Sequence, residues 1–375
     1  MGHQKLQVRE LGRDWVGQSA DAWTRLLLSS DANPVFMSWA WISSWLETFG
    51  DAQDFRLVGL FEEEVLVAVL PLRASRPAVL LRGLRLSLAG DGQVGADYSD
   101  AVCARGYEDA AAEAVAAWLS GRDGWTQCEF LDVLPGSVVR RVAKLMPGGF
   151  VAEDLPGSVC PRVSLGSGWE GLLRSRFDRK RRYNIERQMR LAETTQGLSM
   201  VLHDTPETIG PAFSMLTSLH NQRKDEQGIA STFSRTDSLE FHGRAAVRLA
   251  ESRSAFVATL ESGQGAVVAA YCLCDSSSVY YFQTGMSPAG AALGAGSTLL
   301  CMLMRWAARR GYAWFDLLKG DEDYKRNWAT DRVEQRLIRI TRANARGRLA
   351  LALQDARRAL RHLYDRGIRY ARRTA

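Results

Sequence analysis

The stretch "FDLLKGDEDYKRNWA", residues 315–329, joins an apolar run to a dense cluster of ionisable and aromatic side chains. The apolar run holds one carboxylate, Asp316, and it breaks at Gly320. Three acids follow at 321–323, and then a group of basic and aromatic residues: Tyr324, Lys325, Arg326 and Trp328. Loops that follow strands carry many of the catalytic and binding groups of α/β proteins. The stretch therefore predicts a strand end that carries a site, with helix capping by the acids as the alternative.

A similar pattern occurs earlier in the chain. "FLDVLPG" (130–136) and "WFDLLKG" (314–320) each follow a helix-like segment with a Trp and an Arg-containing turn, and their alignment places Asp132 over Asp316. Residues 55–73 and 255–274 each consist of two apolar runs around a turn, which predicts two β-hairpins. Repetition in the same order indicates a duplicated unit.

The Pro- and Gly-rich segment 146–161 is the natural boundary between the two copies. We expect an N-terminal domain over residues 1–150 that is mainly structural and a C-terminal domain over 151–342 that carries the active site. A basic amphipathic helix over 343–375 follows.

The C-terminal tail differs in charge from the rest of the chain. Residues 341–375 hold ten arginines against two aspartates, a balance of +8, so the remaining residues of this +6 chain sum to −2. An apolar stripe at helical spacing runs through the tail: Leu349, Leu353, Ala356, Leu360 and Leu363. Such a helix either docks on the second domain with a solvated basic face or binds a polyanion or an anionic membrane.

Composition and segment lengths indicate the compartment. The first 15 residues lack the apolar core of a signal peptide, and the most apolar run, 266–274, is too short to span a membrane. The six cysteines show no CxxC pair and read as buried thiols of a reducing compartment. We expect a soluble, cytoplasmic protein.

Five motifs in order resemble the double acetyltransferase-like proteins of the CelD (cellulose-biosynthesis) group, relatives of the GNAT N-acyltransferases and of the Fem aminoacyltransferases. These motifs are "SWAWISSWLETFGD" (38–51), "FDRKRRYNIERQMR" (177–190), "LHNQRKDEQG" (219–228), "MSPAGAALGAGSTLL" (286–300) and "FDLLKGDEDYKRNW" (315–328). The resemblance covers roughly residues 35–340. It implies a mixed α/β fold of two tandem GNAT-like domains, each a largely antiparallel sheet flanked by helices.

The resemblance also implies acyl transfer to an amine, from a thioester or an aminoacyl ester. We expect acyl-CoA as the donor, and no metal, because the acids at 321–323 have no His partner. The donor pyrophosphate would bind backbone N–H groups at a helix N-terminus, formed by Leu293, Gly294, Ala295, Gly296 and Ser297. The Arg or Gln that usually precedes such a loop is missing, which favours an aminoacyl-tRNA donor as the alternative. The alternative without a donor is that these glycines only form a turn that caps a helix.

Four residues are candidates for catalysis: Asp316, His220, Tyr324 and Lys325. Asp316 is the first candidate for a base or amine anchor, and a buried carboxylate needs a partner, for which Lys325 and Arg326 are available. A structural ion pair is the alternative. His220 is suited to proton transfer near neutral pH. Tyr324 either protonates the leaving group or seals a helix onto the sheet together with Trp328.

A second set of residues is predicted to bind substrate or phosphate: Arg181, Arg182, Tyr183, Arg223 and Gln283. The segment 174–190 contains eight basic residues, which either form a solvated helix face or hold phosphate groups.

The sequence thus predicts an N-acyltransferase that acylates an amine of a sugar or small metabolite. The resemblance implies a role in polysaccharide biosynthesis, with the enzyme bound peripherally at the inner membrane. Two alternatives remain. One is an aminoacyl-tRNA-dependent transferase, with tRNA as a partner. The other is a non-catalytic adaptor that binds a polyanion or an anionic membrane through the C-terminal helix.

Overall fold

A computed structural model describes residues 5–76, 83–227, 233, 235–263, 265–320 and 322–353, with the side chains of 223–227 left out. The strands are β1 Gln7–Leu11, β2 Asp54–Glu62, β3 Val65–Ser75, β4 Leu84–Leu88, β5 Val102–Cys103, β6 Trp125–Val133, β7 Phe150–Ser164, β8 Ser199–His203, β9 Ala255–Ser262, β10 Gly265–Cys274, β11 Ser278–Met286, β12 Trp314–Asp316 and β13 Asp331–Arg342. The helices are α1 Arg13–Gln18, α2 Ala20–Leu28, α3 Trp39–Phe49, α4 Glu108–Ser120, α5 Val138–Leu145, α6 Gly168–Arg176, α7 Arg179–Thr194, α8 Pro206–Gln227, α9 Thr236–Glu251, α10 Pro288–Ala292, α11 Ala295–Arg309 and α12 Asp323–Trp328.

All these strands belong to one sheet, in which the order is β1-β2-β3-β4-β6-β13-β7-β12-β11-β10-β9-β8, with β5 beside β3. The two ends of the sheet are built alike. Strands β1 to β4 are antiparallel neighbours and β4 pairs in parallel with β6, while β8 to β11 are antiparallel neighbours and β11 pairs in parallel with β12. The sheet therefore consists of two units with the same strand pattern.

The last strand of each unit is exchanged with the other. β7 follows the first unit in the chain but pairs with β12 of the second, and β13 ends the second unit but pairs with β6 of the first. The two exchanged strands pair with each other, antiparallel, over residues 150–162 and 331–342. The centre of the sheet thus contains strands from both units in alternation.

Hydrophobic clusters cover both faces of the sheet. On one face α1 to α3 of the first unit and α8 and α9 of the second share one core, where the Trp41 and Phe241 rings lie 4.9 Å apart. At its surface Arg248 of α9 pairs with Glu47 of α3 at 2.6 Å. On the opposite face each unit has a separate cluster, with α4 and α5 under the first and α6, α7, α11 and α12 under the second.

This architecture confirms the predicted fold: a mixed α/β protein with a large, mostly antiparallel sheet flanked by helices. The hairpins predicted over 55–73 and 255–274 are β2–β3 and β9–β10. All six cysteines are buried and free of disulfides. The predicted boundary segment 146–161 continues from Phe150 as β7 in the middle of the sheet, and the limits 1–150 and 151–342 stay a prediction.

The C-terminal helix lies only partly within the described residues. Residues 345–353 are helical, and Leu349 and Leu353 of the predicted stripe are 45% and 37% exposed. The stripe residues Ala356, Leu360 and Leu363 lie outside the described residues. Among the helices that the structure describes, none has the length and apolar character needed to cross a membrane.

Candidate active site

Two parallel strands of the second unit separate at the end of β12. β11 and β12 pair from Ser278–Trp314 to Tyr280–Asp316, where β12 ends, while β11 continues to Met286. β11 also bulges here, because the register shifts between its pairs with Tyr271 and Cys272 on β10. A loop of the first unit enters this gap. A Cβ on its Gly95 would lie 3.3 Å from the Phe282 ring of β11, so the two units touch at this point.

Asp316 occupies the end of β12 and is only 4% exposed. Its Oδ2 accepts a hydrogen bond from the Tyr98 hydroxyl at 2.6 Å, and its Oδ1 accepts one from the Leu318 amide at 2.7 Å. Burial raises the pKa of Asp316 to about 6, while both hydrogen bonds act to lower it. The predicted partners are wrong: Lys325 pairs with Glu322, and Arg326 pairs with Asp323.

Lys319 joins the two units beside Asp316. Its Nζ lies 2.7 Å from Asp132 Oδ2 and 3.3 Å from Asp97 Oδ1, and it donates to the Ala96 carbonyl at 3.3 Å. Burial acts to lower the pKa of Lys319, but the two carboxylates outweigh it and hold the pKa above its usual value. Burial in turn raises the pKa of Asp97, partly offset by Lys319. A lysine from the second unit thus offsets one of the two negative charges that this pair of acids can carry.

A second hydroxyl crosses the junction of the units. Tyr280 of β11 donates to Asp275 Oδ2 at 2.7 Å and accepts from the Asn33 side chain at 3.0 Å. Burial holds the pKa of Tyr280 well above its usual value, and that of Tyr98 is raised for the same reason. Both phenols therefore stay neutral and act as hydrogen-bond donors near neutral pH.

Lys325 lies behind the turn that carries Lys319. It is 5% exposed, and its Nζ donates to the Lys319 carbonyl at 2.7 Å and pairs with Glu322 at 3.2 Å. The turn is tight, since Leu318 and Gly320 have positive φ angles of 56° and 140° and a Cβ on Gly320 would lie 2.6 Å from the Lys325 Nζ. In this structure Lys325 fixes the turn instead of contacting Asp316.

The acids after Gly320 only partly behave as predicted. α12 begins after Glu322, whose side chain makes no capping hydrogen bond, and Asp323 lies in the first turn. Asp321 lies outside the described residues. Trp328 is buried against Trp169 and Phe177, as expected for a residue that packs α12 onto the rest of the domain. Tyr324, in contrast, is 39% exposed.

His220 is buried on α8 against β11 rather than solvated. Its Nδ1 lies 2.9 Å from the Thr284 carbonyl oxygen, and its ring packs against Phe233. A Cβ on Gly285 would lie 2.5 Å from the His220 amide nitrogen, so the helix lies directly on the strand. The neighbouring Gln283 is partly buried and accepts from the Thr284 amide at 3.3 Å.

The predicted phosphate loop is the junction of α10 and α11. Leu293 is the C-cap of α10 and is 38% exposed, and Gly294, with a φ of 67°, is the N-cap of α11. No side chain caps α11 within the described residues. The first amides of an α-helix have no acceptor inside the helix, so those of Ala295, Gly296 and Ser297 point toward the loop.

The basic helix α7 lies against this loop. Gln188 of α7 donates to the Gly294 carbonyl at 3.2 Å. At the start of α7, Arg181 lies over the Phe177 ring, Arg182 donates to the Phe177 carbonyl, and Tyr183 is 58% exposed. The structure thus places the predicted phosphate-binding helix beside the predicted loop. The side chain of Arg223 lies outside the described residues.

Sequence reasoning missed Tyr98, Asp97 and Lys319, and it treated Asp132 only as a copy of Asp316. Lys319 had a detectable signal, because it aligns with Pro135 between two positions, Leu318 and Gly320, that are identical in both copies. Tyr98 and Asp97 are more than 200 residues from Asp316 in the chain, and no local pattern marks them.

Comparison with known proteins gives the class of the second unit. The family model for an acetyltransferase (GNAT) domain matches residues 179–326, from the start of α7 to α12. No curated protein matches the sequence. The chain therefore contains a GNAT domain, and it is an acyltransferase.

Solved structures share the overall fold at low sequence identity. The crystal structure of FemX superimposes with a TM-score of 0.58 at 12% identity and covers 88% of this chain and 96% of its own. A conserved protein of unknown function from Bacteroides thetaiotaomicron gives 0.56 at 10% identity, with 90% and 100% covered. The C-terminal domain of a putative lysylphosphatidylglycerol synthetase from Agrobacterium fabrum gives 0.53 at 14%, with 91% and 96% covered.

Proposed function

We propose that the chain is an N-acyltransferase that binds an acyl-CoA donor at the α10–α11 loop and transfers the acyl group at the end of β12. One observation carries this proposal. Asp316 is the last residue of β12, and the uncapped N-terminus of α11 follows the carboxyl end of β11, so both lie toward the carboxyl ends of this parallel pair. Ligands of α/β sheets bind at the carboxyl ends of their strands, and a helix N-terminus attracts phosphate.

The first unit provides an internal comparison. Its equivalent helix, α4, starts with Glu108 and Asp109, and the Glu108 carboxylate accepts from the Gly106 amide at 2.9 Å. These acids occupy the positive end of the helix dipole and would repel phosphate. α11 has no acid in its first turn. The difference supports a donor site in the second unit and a structural role for the first.

The distance between the two parts of the site suits a long donor arm. Tyr280, which pairs with Asp316, and Met286, at the end of β11, are six residues apart. At about 3.3 Å per residue this is on the order of 20 Å. A donor with its phosphates at α11 and its acyl group at Asp316 therefore needs an extended arm, which a CoA thioester has.

In this proposal Asp316 takes the proton of the attacking amine, directly or through water. Its pKa of about 6 keeps most of it ionised near neutral pH, yet close enough to exchange a proton. Tyr98 orients the carboxylate through its hydrogen bond of 2.6 Å. Lys319, paired with Asp97 and Asp132, holds the loop of the first unit that carries Tyr98. Tyr324 remains the candidate donor of a proton to the leaving group.

The finer assignments rest on the sequence resemblance. We propose a CelD-like enzyme that acylates an amino sugar or a small amine in polysaccharide assembly. It would work in the cytoplasm, with its basic C-terminal helix at the anionic inner membrane.

Calorimetric titration with acetyl-CoA and longer acyl-CoAs tests the donor site. Ser297→Asp gives α11 an acid in its first turn, as in α4, and we expect it to lower acyl-CoA affinity at least tenfold, by roughly 1.5 kcal/mol of repulsion. Ser214→Asp, at an exposed position of α8, is the matched control and should bind normally. Equal affinity in the two variants would refute the donor site.

The exposed basic face of α7 supports an aminoacyl-tRNA donor as the second candidate. That face begins at Arg181 and Arg182 and runs along the helix whose Gln188 contacts the same loop, so it suits a nucleic-acid backbone. Binding of tRNA at moderate salt, without any acyl-CoA binding, would favour this donor over CoA.

A further inference from the structure

A cleft of about 820 Å³ opens beside the end of β12, next to the carboxylate network. Residues of β7, the end of α6, the Lys319–Gly320 turn, α12 and the start of β13 form its walls. Small-molecule sites have volumes of about 300–1,000 Å³. The cleft therefore has room for a whole metabolite.

Positive charge dominates this cleft. Three arginines from three different elements line it: Arg176, Arg326 and Arg332. Asp331, the carboxylate among its described lining residues, accepts two hydrogen bonds from Arg162 at 2.6 and 2.9 Å. That acid is thus neutralised by an arginine that stacks on the Trp314 ring at 3.8 Å.

Two of the three arginines are held in place before any ligand binds. Arg176 donates to the carbonyls of Asn327 and Arg326 at 2.9 and 2.8 Å, which fixes its guanidinium at the C-terminal end of α12. Arg326 is paired with Asp323. Groups fixed in this way lose little conformational entropy on binding.

We propose that this cleft binds the phosphate or diphosphate group of a phosphorylated amine acceptor. The inference rests on the proposed function, since it names the acceptor of that reaction. Guanidinium groups bind phosphate through paired hydrogen bonds. Three guanidinium groups in one cleft suit a phosphate or diphosphate group, with its several oxygens and more than one negative charge, better than they suit a single carboxylate.

The cleft is separate from the donor loop. Arg176 lies just before α7, and Gln188, which contacts the loop, is ten residues beyond Asp178 at its start. At 1.5 Å per residue the two places are about 15 Å apart along the helix. The donor and acceptor phosphates would thus occupy different positions.

The test is calorimetric titration of the full chain with inorganic pyrophosphate, in the Ser297→Asp background so that α11 does not contribute. We expect pyrophosphate to bind, and Arg332→Gln and Arg326→Gln each to weaken it about tenfold. Arg310→Gln, at the far end of α11, removes the same charge and should change affinity less than about twofold. Citrate, which carries only carboxylates, should bind more weakly than pyrophosphate.

The outcomes separate this inference from the proposed function. No pyrophosphate binding, equal losses in Arg332→Gln and Arg310→Gln, or tighter binding of citrate would overturn the phosphate site. Acyl-CoA binding to the unmodified chain would still stand in those cases. If acyl-CoA does not bind but pyrophosphate binds and depends on Arg332, the cleft is a phosphate site and the CoA-dependent function is wrong.

Discussion

Replacement of Tyr98 by Phe should change how the stability of the protein depends on pH. The Tyr98 hydroxyl donates at 2.6 Å to Asp316, which is 4% exposed. A hydrogen bond to a charged group contributes about 1.5–3 kcal/mol, and each pKa unit corresponds to about 1.4 kcal/mol. Loss of the hydroxyl should therefore raise the pKa of Asp316 by about 1–2 units, from about 6 to about 7–8.

The sign follows from proton linkage. The folded-state pKa of Asp316 lies above that of the unfolded chain, so its contribution to stability is present below about pH 4 and is lost as pH rises through about 6. In Tyr98→Phe this loss continues to higher pH. The cost of the substitution in unfolding free energy should thus grow by about 1.5–3 kcal/mol between about pH 5 and about pH 9.

Urea denaturation across this pH range measures the unfolding free energy of four proteins: the unmodified chain, Tyr98→Phe, Asp316→Asn and the double variant. The pH-dependent part of the cost should disappear in the Asp316→Asn background, since no carboxylate titrates there. A cost that stays constant across this pH range, or one that persists without Asp316, would refute the assigned coupling.

Three further substitutions test other parts of the site. Ser297→Asp should stabilise α11 by about 0.3–1 kcal/mol while it weakens acyl-CoA binding, and a parallel loss of stability and binding would contradict the dipole argument. Gly285→Ala forces a Cβ to 2.5 Å from the α8 backbone and should cost about 1–3 kcal/mol in thermal unfolding, whereas Gly210→Ala, which meets nothing within 4 Å, should be neutral or stabilising. Lys325→Met removes the hydrogen bond to the Lys319 carbonyl, so it should destabilise the chain by about 1–3 kcal/mol and lower the rate of acyl transfer. If neither the unfolding free energy nor the transfer rate changes, the turn does not depend on Lys325.

Sequence periodicity could predict those parts of the fold that local patterns determine. The hairpins β2–β3 and β9–β10 follow from alternating apolar runs around a turn, and the burial of Asp316 follows from its place in an apolar strand. The Gly-rich stretch 293–297 was placed correctly at a helix start, because glycine and the absence of an acid are local features.

The partners of Asp316 could not be predicted in this way. Lys325 and Arg326 are close to Asp316 in the sequence. The turn at Leu318 and Gly320, however, directs the Lys325 side chain to backbone carbonyls. The real partner, Tyr98, comes from the other unit through the loop that enters the β11–β12 gap. Contacts of such sequence separation depend on how two units pack, which no window of sequence encodes.

The exchange of β7 and β13 has a consequence for synthesis on the ribosome. β6 is made early, but its central neighbour β13 is the last strand of the sheet to leave the ribosome. Until residue 342 emerges, β6 and β7 each lack a neighbour, and open strand edges recruit other chains. The strands of the first unit therefore cannot all be paired until the second unit has been synthesised. We expect nascent chains that stop before β13 to require chaperones, and full-length chains to fold in one late, concerted step.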